Sequence, residues 1–111
     1  MLFSLIAPTI VGAHLVAFPP AGLFERTPSG MAMAVVYPPR AQAQRKEGRV
    51  VLACTVTSSR TLSDCMVESE TPNNSGFGPS ALMLSYLFVV REGEELPADR
   101  KISFQARFSL P

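Results

Sequence analysis

From Gly48 the chain alternates apolar and polar positions. Val50, Leu52, Cys54 and Val56 fall on one face of an extended segment, and Val51, Ala53, Thr55 and Thr57 on the other. This is a period-2 pattern rich in β-branched residues, which predicts a half-buried strand. Ser58, Ser59 and Arg60 supply turn-prone side chains. Leu62 to Glu68 then resumes extended, with Cys65 and Val67 on a shared face, so the stretch predicts a β-hairpin. The clearest alternation closes the chain. Ile102, Phe104, Ala106, Phe108 and Leu110 point one way, and Lys101, Ser103, Gln105, Arg107 and Ser109 point the other, as in an antiparallel strand with one wet face.

Helical spacing occupies the intervals. Met31 to Tyr37 predicts one or two turns that end before Pro38-Pro39, because proline disfavours helical geometry in the residue before it. Pro39 to Lys46 predicts a second helix, with Gly48 as its left-handed stop. Phe77, Ala81, Leu84 and Phe88, with Leu87 beside them, give a third helix an apolar stripe opening near Pro79. Phe24 to Gly30 reads as a polar connector, and Glu70 to Pro79 and Arg91 to Pro97 as loops. The order helix, hairpin, helix, strand implies an α+β domain: a small three-stranded antiparallel sheet with two helices packed on one face.

The first 23 residues carry no charge and are dominated by Leu, Ile, Val, Phe and Ala, interrupted by Pro8 and Pro19-Pro20. Three readings stay open for 1–23: a cleaved signal peptide ending at Ala17 or Ala21, a membrane anchor, or a consequence of where the chain was started. Either of the first two places the remainder outside the cytoplasm. His14, the single histidine, lies inside this segment and reads as structural. The expected organisation is 1–23 signal or anchor, 24–36 connector with a short helix, and 37–111 the folded domain.

Composition narrows the chemistry. A formal charge of +1 over 111 residues excludes a nucleic-acid or anionic-membrane partner held mainly by electrostatics. The basic cluster Arg40, Arg45 and Lys46 reads as a solvated helix face. The hairpin brings Cys54 and Cys65 face to face, which predicts a disulfide and an oxidising compartment; two packed free thiols are the alternative. With no histidine after residue 14, Ser-His and Cys-His nucleophiles and His-containing zinc sites have no residues to draw on. Glu68 and Glu70 could be neighbours, but the adjoining loop reads as solvated, a poor setting for paired acid–base carboxylates. Gly76-Phe77-Gly78 lacks the Lys-Ser/Thr of a phosphate loop. Neither an enzyme, nor a metal site, nor a cofactor is expected.

The placed elements resemble the C-terminal domain of TonB, the energy transducer of the Gram-negative envelope. Tyr37-Pro38, then Arg40-Ala41-Gln42, then Glu47-Gly48 and the strand from Val50 resemble that family's opening. The hairpin, the Phe77–Phe88 helix and the closing Ala106-Arg107-Phe108-Ser109-Leu110 continue the likeness, from about Thr27 to Pro111. The resemblance implies a periplasmic module whose last strand offers its edge to the short box segment of an outer-membrane receptor. Carried over, the receiving positions are Lys101, Ser103, Gln105, Arg107 and Ser109, and the family motif is Tyr37, Pro38, Ala41 and Gly48.

Three departures stand out. Arg60 occupies the hairpin turn where the family carries glycine, and the family's proline is missing at Val89-Val90. The long Pro-rich, charged linker of the transducers does not appear before Thr27, so force transmission is not expected. The alternative to receptor-peptide capture is a stand-alone envelope module that binds another protein or forms a homodimer.

Overall fold

The alternation at Val50–Val56 builds the central strand of the sheet. The structure is a computed structural model that describes residues 22–110. In chain order it contains β1 (Phe24–Arg26), α1 (Gly30–Val36), α2 (Pro39–Ala43), β2 (Gly48–Val56), β3 (Leu62–Thr71), α3 (Phe77–Leu84), a 3-10 turn (Ser85–Leu87), β4 (Val89–Val90) and β5 (Lys101–Phe108). The sheet order is β3-β2-β5, antiparallel throughout, and β1 and β4 form a separate two-stranded ribbon. The α+β architecture with a three-stranded sheet is the one the alternation predicts. The signal-or-anchor segment and His14 fall almost entirely outside the described residues. No helix among the described residues is long and apolar enough to cross a membrane.

Local signals set the helix ends. Ser29 caps α1 by accepting a hydrogen bond from the Ala32 amide at 3.1 Å. The helix stops at Tyr37, where Pro38 follows. Pro39 opens α2 with φ already suited to a first turn. That helix ends at Ala43, shorter than the predicted run to Lys46, and its left-handed residue is Arg45 (φ 55°), not Gly48. The amides of Arg45 and Lys46 return to the carbonyls of Gln42 and Ala41, closing the Schellman pattern one turn early. Gly48 is instead the first residue of β2 and is buried. Gly76, also left-handed (φ 89°), starts α3 at Phe77, so Pro79 is its third residue rather than its first. Leu87 is exposed outside the core stripe, because the helix tightens to a 3-10 turn after Leu84 and rotates it outward.

One core lies between the sheet and the helices. Val50, Leu52, Cys54 and Val56 of β2 are all buried, as are Phe104, Ala106 and Phe108 of β5, and Phe77, Ala81 and Leu84 of α3. The rings fall into two groups. Phe77 sits between Tyr37 (5.4 Å between ring centres) and Phe108 (5.1 Å), and Phe104 between Phe24 (5.0 Å) and Phe88 (4.9 Å). Each buried Phe removes enough apolar area to contribute about 2–3 kcal/mol, and tilted ring pairs add about 0.5–1.5 kcal/mol.

The segment 24–30 is therefore more than a polar connector. Leu23 and Phe24 reach the core, and Arg91 holds the ribbon by bonding the carbonyls of Gly22 (Nε, 2.8 Å) and Leu23 (main-chain N, 2.8 Å).

The hairpin carries a Cys54–Cys65 disulfide with the two Cα atoms 4.1 Å apart. Its register is not uniform: it shifts between Val51 and Leu52 and again between Ala53 and Thr55. Asp64 (φ 52°) and Arg60 (φ 67°) adopt left-handed geometry. Arg60 thus takes the turn conformation for which the family uses glycine. The Asp64 bulge lets Leu62, Cys65 and Val67 all turn toward the core side.

Candidate docking edge

A three-stranded sheet has two borders, and these two differ. β3 is interrupted by both register shifts, and its start is drawn toward β4 by a bridge from Thr61 to Val89. Bulges of this kind blunt an edge against further pairing. β5 is different. It pairs with β2 over eight consecutive positions, Gly48↔Phe108 through Thr55↔Lys101, with no shift. Among the described residues no strand pairs with its far side.

The direction of its main-chain groups follows from one bond. Val56 N–H donates to the Arg100 carbonyl at 2.8 Å, so that pair is hydrogen-bonded. Antiparallel alternation then turns the polar groups of Ile102, Phe104, Ala106 and Phe108 toward β2, and those of Lys101, Ser103, Gln105 and Arg107 away from it. Two further contacts agree. The Lys101 amide bonds the Asp99 carboxylate at 3.0 Å instead of a strand, and the Leu110 amide turns back to Glu47 at 2.8 Å. The outward set coincides with four of the five positions expected to receive a peptide; Ser109 lies just past the strand and is exposed.

The space beside this edge is apolar. A groove of about 470 Å³ lies between α1 and the end of the chain, lined by Met33, Ala34, Tyr37, Arg107, Phe108 and Leu110 among others. A smaller hollow of about 170 Å³ continues it toward Phe24, Phe88 and Phe104, with Met33 and Arg107 common to both. On the opposite, wet face of the sheet Arg107 stands directly across from Arg49. Glu68 on that face accepts a hydrogen bond from Ser103 Oγ at 3.0 Å.

The motif residues frame this edge from below. The Tyr37 hydroxyl donates to the Lys46 carbonyl, and burial, with Glu47 nearby, raises its pKa. Pro38 and Ala41 are buried, and Gly48 packs closely against the Phe77 ring: a Cβ there would overlap it. That overlap is the reason for a glycine at 48.

Glu70 is parted from Glu68 and has its own task. Its Oε2 accepts from the Ser75 amide (2.8 Å), the Ser75 hydroxyl (2.9 Å) and the Gly76 amide (3.0 Å), so the start of α3 is already filled by the chain's own carboxylate. Gly76-Phe77-Gly78 is explained by this cap. A Cβ on Gly78 would strike the Glu70 carboxylate. Burial pushes the Glu70 pKa up, but the hydrogen bonds from Ser75, Gly78 and Gly76 outweigh it and hold it below the ordinary glutamate value.

A depressed folded-state pKa contributes stability that is present above the unfolded value and lost as pH falls through the folded one. Urea titrations of the wild type and Glu70→Gln should therefore differ by about 1 kcal/mol at pH 7. The gap should start to close as pH falls through the ordinary glutamate range and vanish below the depressed value. A constant gap from pH 7 to pH 3 would show that the carboxylate charge contributes nothing.

Neither Met33 nor Ala34 was visible as a groove residue from sequence, since a helix face and a distant strand meet there only in three dimensions. Met31 and Val35 on α1 are exposed, so this helix is only partly covered. Among the described residues no group of three or more His, Cys, Asp or Glu could hold a metal ion.

Comparison with known proteins agrees with the resemblance read from Tyr37 onward. The family model described as Gram-negative bacterial TonB protein C-terminal matches residues 33–83. Among solved structures the chain is similar to the solution NMR structure of the Pseudomonas aeruginosa TonB C-terminal domain: 28% identity over 68% of this chain and 77% of that one, with a TM-score of 0.47. No curated protein matches. Through residues 33–83, which include α2, the hairpin and most of α3, this chain is similar to the TonB C-terminal family.

Proposed function

We propose that this chain is a periplasmic binding module of TonB type that captures an extended peptide, of the kind an outer-membrane receptor presents, by adding it as a strand to β5. The observation that carries the reading is the contrast between the borders: β3 is bulged twice, while β5 runs eight residues in register with its alternate amides and carbonyls unpaired by any described strand. Such an edge is a template for β-augmentation, in which main-chain bonds supply the affinity and side-chain pockets supply the choice. Nothing in this role needs a cofactor or a reacting group, and the proposed module is not an enzyme. Export by the 1–23 segment and a disulfide-forming compartment suit the same reading.

Gln105→Pro tests it. Gln105 N–H points away from β2, so proline deletes a donor of the open edge while leaving the β2–β5 ladder in place. Binding of receptor N-terminal peptides, measured by pull-down or anisotropy, should fall at least tenfold with little change in thermal stability. Unchanged binding overturns strand addition at β5. If the wild type binds no such peptide and light scattering finds a dimer, the edge serves pairing between copies of this chain instead.

A further inference from the structure

Resting on that reading of β5, we propose that the groove beside the end of the strand selects its peptide by one bulky apolar side chain with a carboxylate on the adjacent residue. Neighbouring residues of an added strand point to opposite faces of the sheet. A residue paired beside Arg107–Ser109 on the helix side projects into the 470 Å³ groove, whose walls are mostly apolar (Met33, Ala34, Tyr37, Phe108 and Leu110), with Gln42, Arg107 and Ser109 also lining it. That volume is in the range of a ligand pocket, and the predominance of apolar walls favours a hydrocarbon side chain over a polar one.

The next residue along the peptide faces the wet side. There Arg107 and Arg49 stand directly opposite on adjacent strands, both exposed. Like charges in that position repel. Glu47, the acidic group lining the same hollow as both arginines, already accepts from the Leu110 amide. A carboxylate on the added strand would stand beside Arg107 on its side away from Arg49 and add a partner for it. One face thus asks for hydrocarbon and the other for negative charge, one residue apart. The smaller hollow near Phe104 is too confined, at about 170 Å³, to be the main anchor.

The test uses the full chain and fluorescent Ser/Thr-based octapeptides. One central residue runs Ala, Leu, Phe, and its neighbour runs Gln, Glu. Leu or Phe should bind about tenfold or more tighter than Ala. Glu should improve on Gln a few-fold at low salt, and that gain should fade in 0.5 M salt. Ala34 is exposed on α1, so Ala34→Trp should fold normally, fill the groove and erase the Leu and Phe gain. Arg107→Gln should erase the Glu gain alone.

If every peptide binds alike while Gln105→Pro still abolishes binding, the groove does not select and the proposal fails, with strand addition intact. If Gln105→Pro changes nothing, strand addition at β5 fails first and takes this proposal with it. A chain that binds no peptide and is dimeric in light scattering overturns both, with a second copy as the occupant.

Discussion

Replacing Gly48 with alanine is expected to destabilise the domain by about 2–3 kcal/mol, a large loss for one methyl group on a strand. On propensity alone alanine should favour the strand slightly, because glycine carries more backbone entropy into the unfolded chain. The Phe77 ring reverses the sign. Three of its carbons lie closer to the position of an added Cβ than real contacts allow, and the ring is fully buried between Tyr37 and Phe108. It cannot yield without moving one of them. A double-mutant cycle checks the cause. Phe77→Leu removes part of the ring, so Gly48→Ala in that background should cost less than about 1 kcal/mol, a coupling above the usual additivity error. Equal costs in both backgrounds, measured by urea denaturation, would mean that the ring is not what demands a glycine at 48.

The same residue marks how far the sequence can be read. Gly48 is visible as a family position and as a candidate helix stop, but its partner is Phe77, a residue on another element. The left-handed residue after α2 is Arg45, a side chain with no local signal for that geometry. By contrast, β2 and β5 are legible almost residue by residue, because a strand with one buried face must alternate. The bulges of β3 are not legible: a register shift leaves each residue's type unchanged and alters only which face it meets. The β1–β4 ribbon is equally hidden, since two valines and Phe24–Arg26 pair only once Arg91 ties the ribbon to Leu23. Of the candidate site, the strand and its outward positions follow from alternation and family likeness. The groove does not, because α1 and β5 are about seventy residues apart and meet through the core.

Removing the disulfide, as Cys54→Ala with Cys65→Ala, is expected to lower stability by about 2–3 kcal/mol and the melting temperature by about 10–20 °C. The bridge spans a sequence separation of 11, and closing a loop of that size removes unfolded-state entropy of this order. A second consequence reaches the candidate edge. Cys54 lies on the central strand, directly opposite Ile102 of β5, so the bridge braces β2 between its two neighbours at a point where the β3 ladder is broken by a register shift. Without it, β3 should loosen first near Asp64, and the β2–β5 ladder, which has no such break, should keep its amide protection. Hydrogen exchange separates the two outcomes: faster exchange confined to Ser63–Val67 and facing β2 amides supports a local brace. Uniform acceleration along β5 would show that the bridge holds the whole sheet, and peptide capture at that edge should then weaken under reducing conditions.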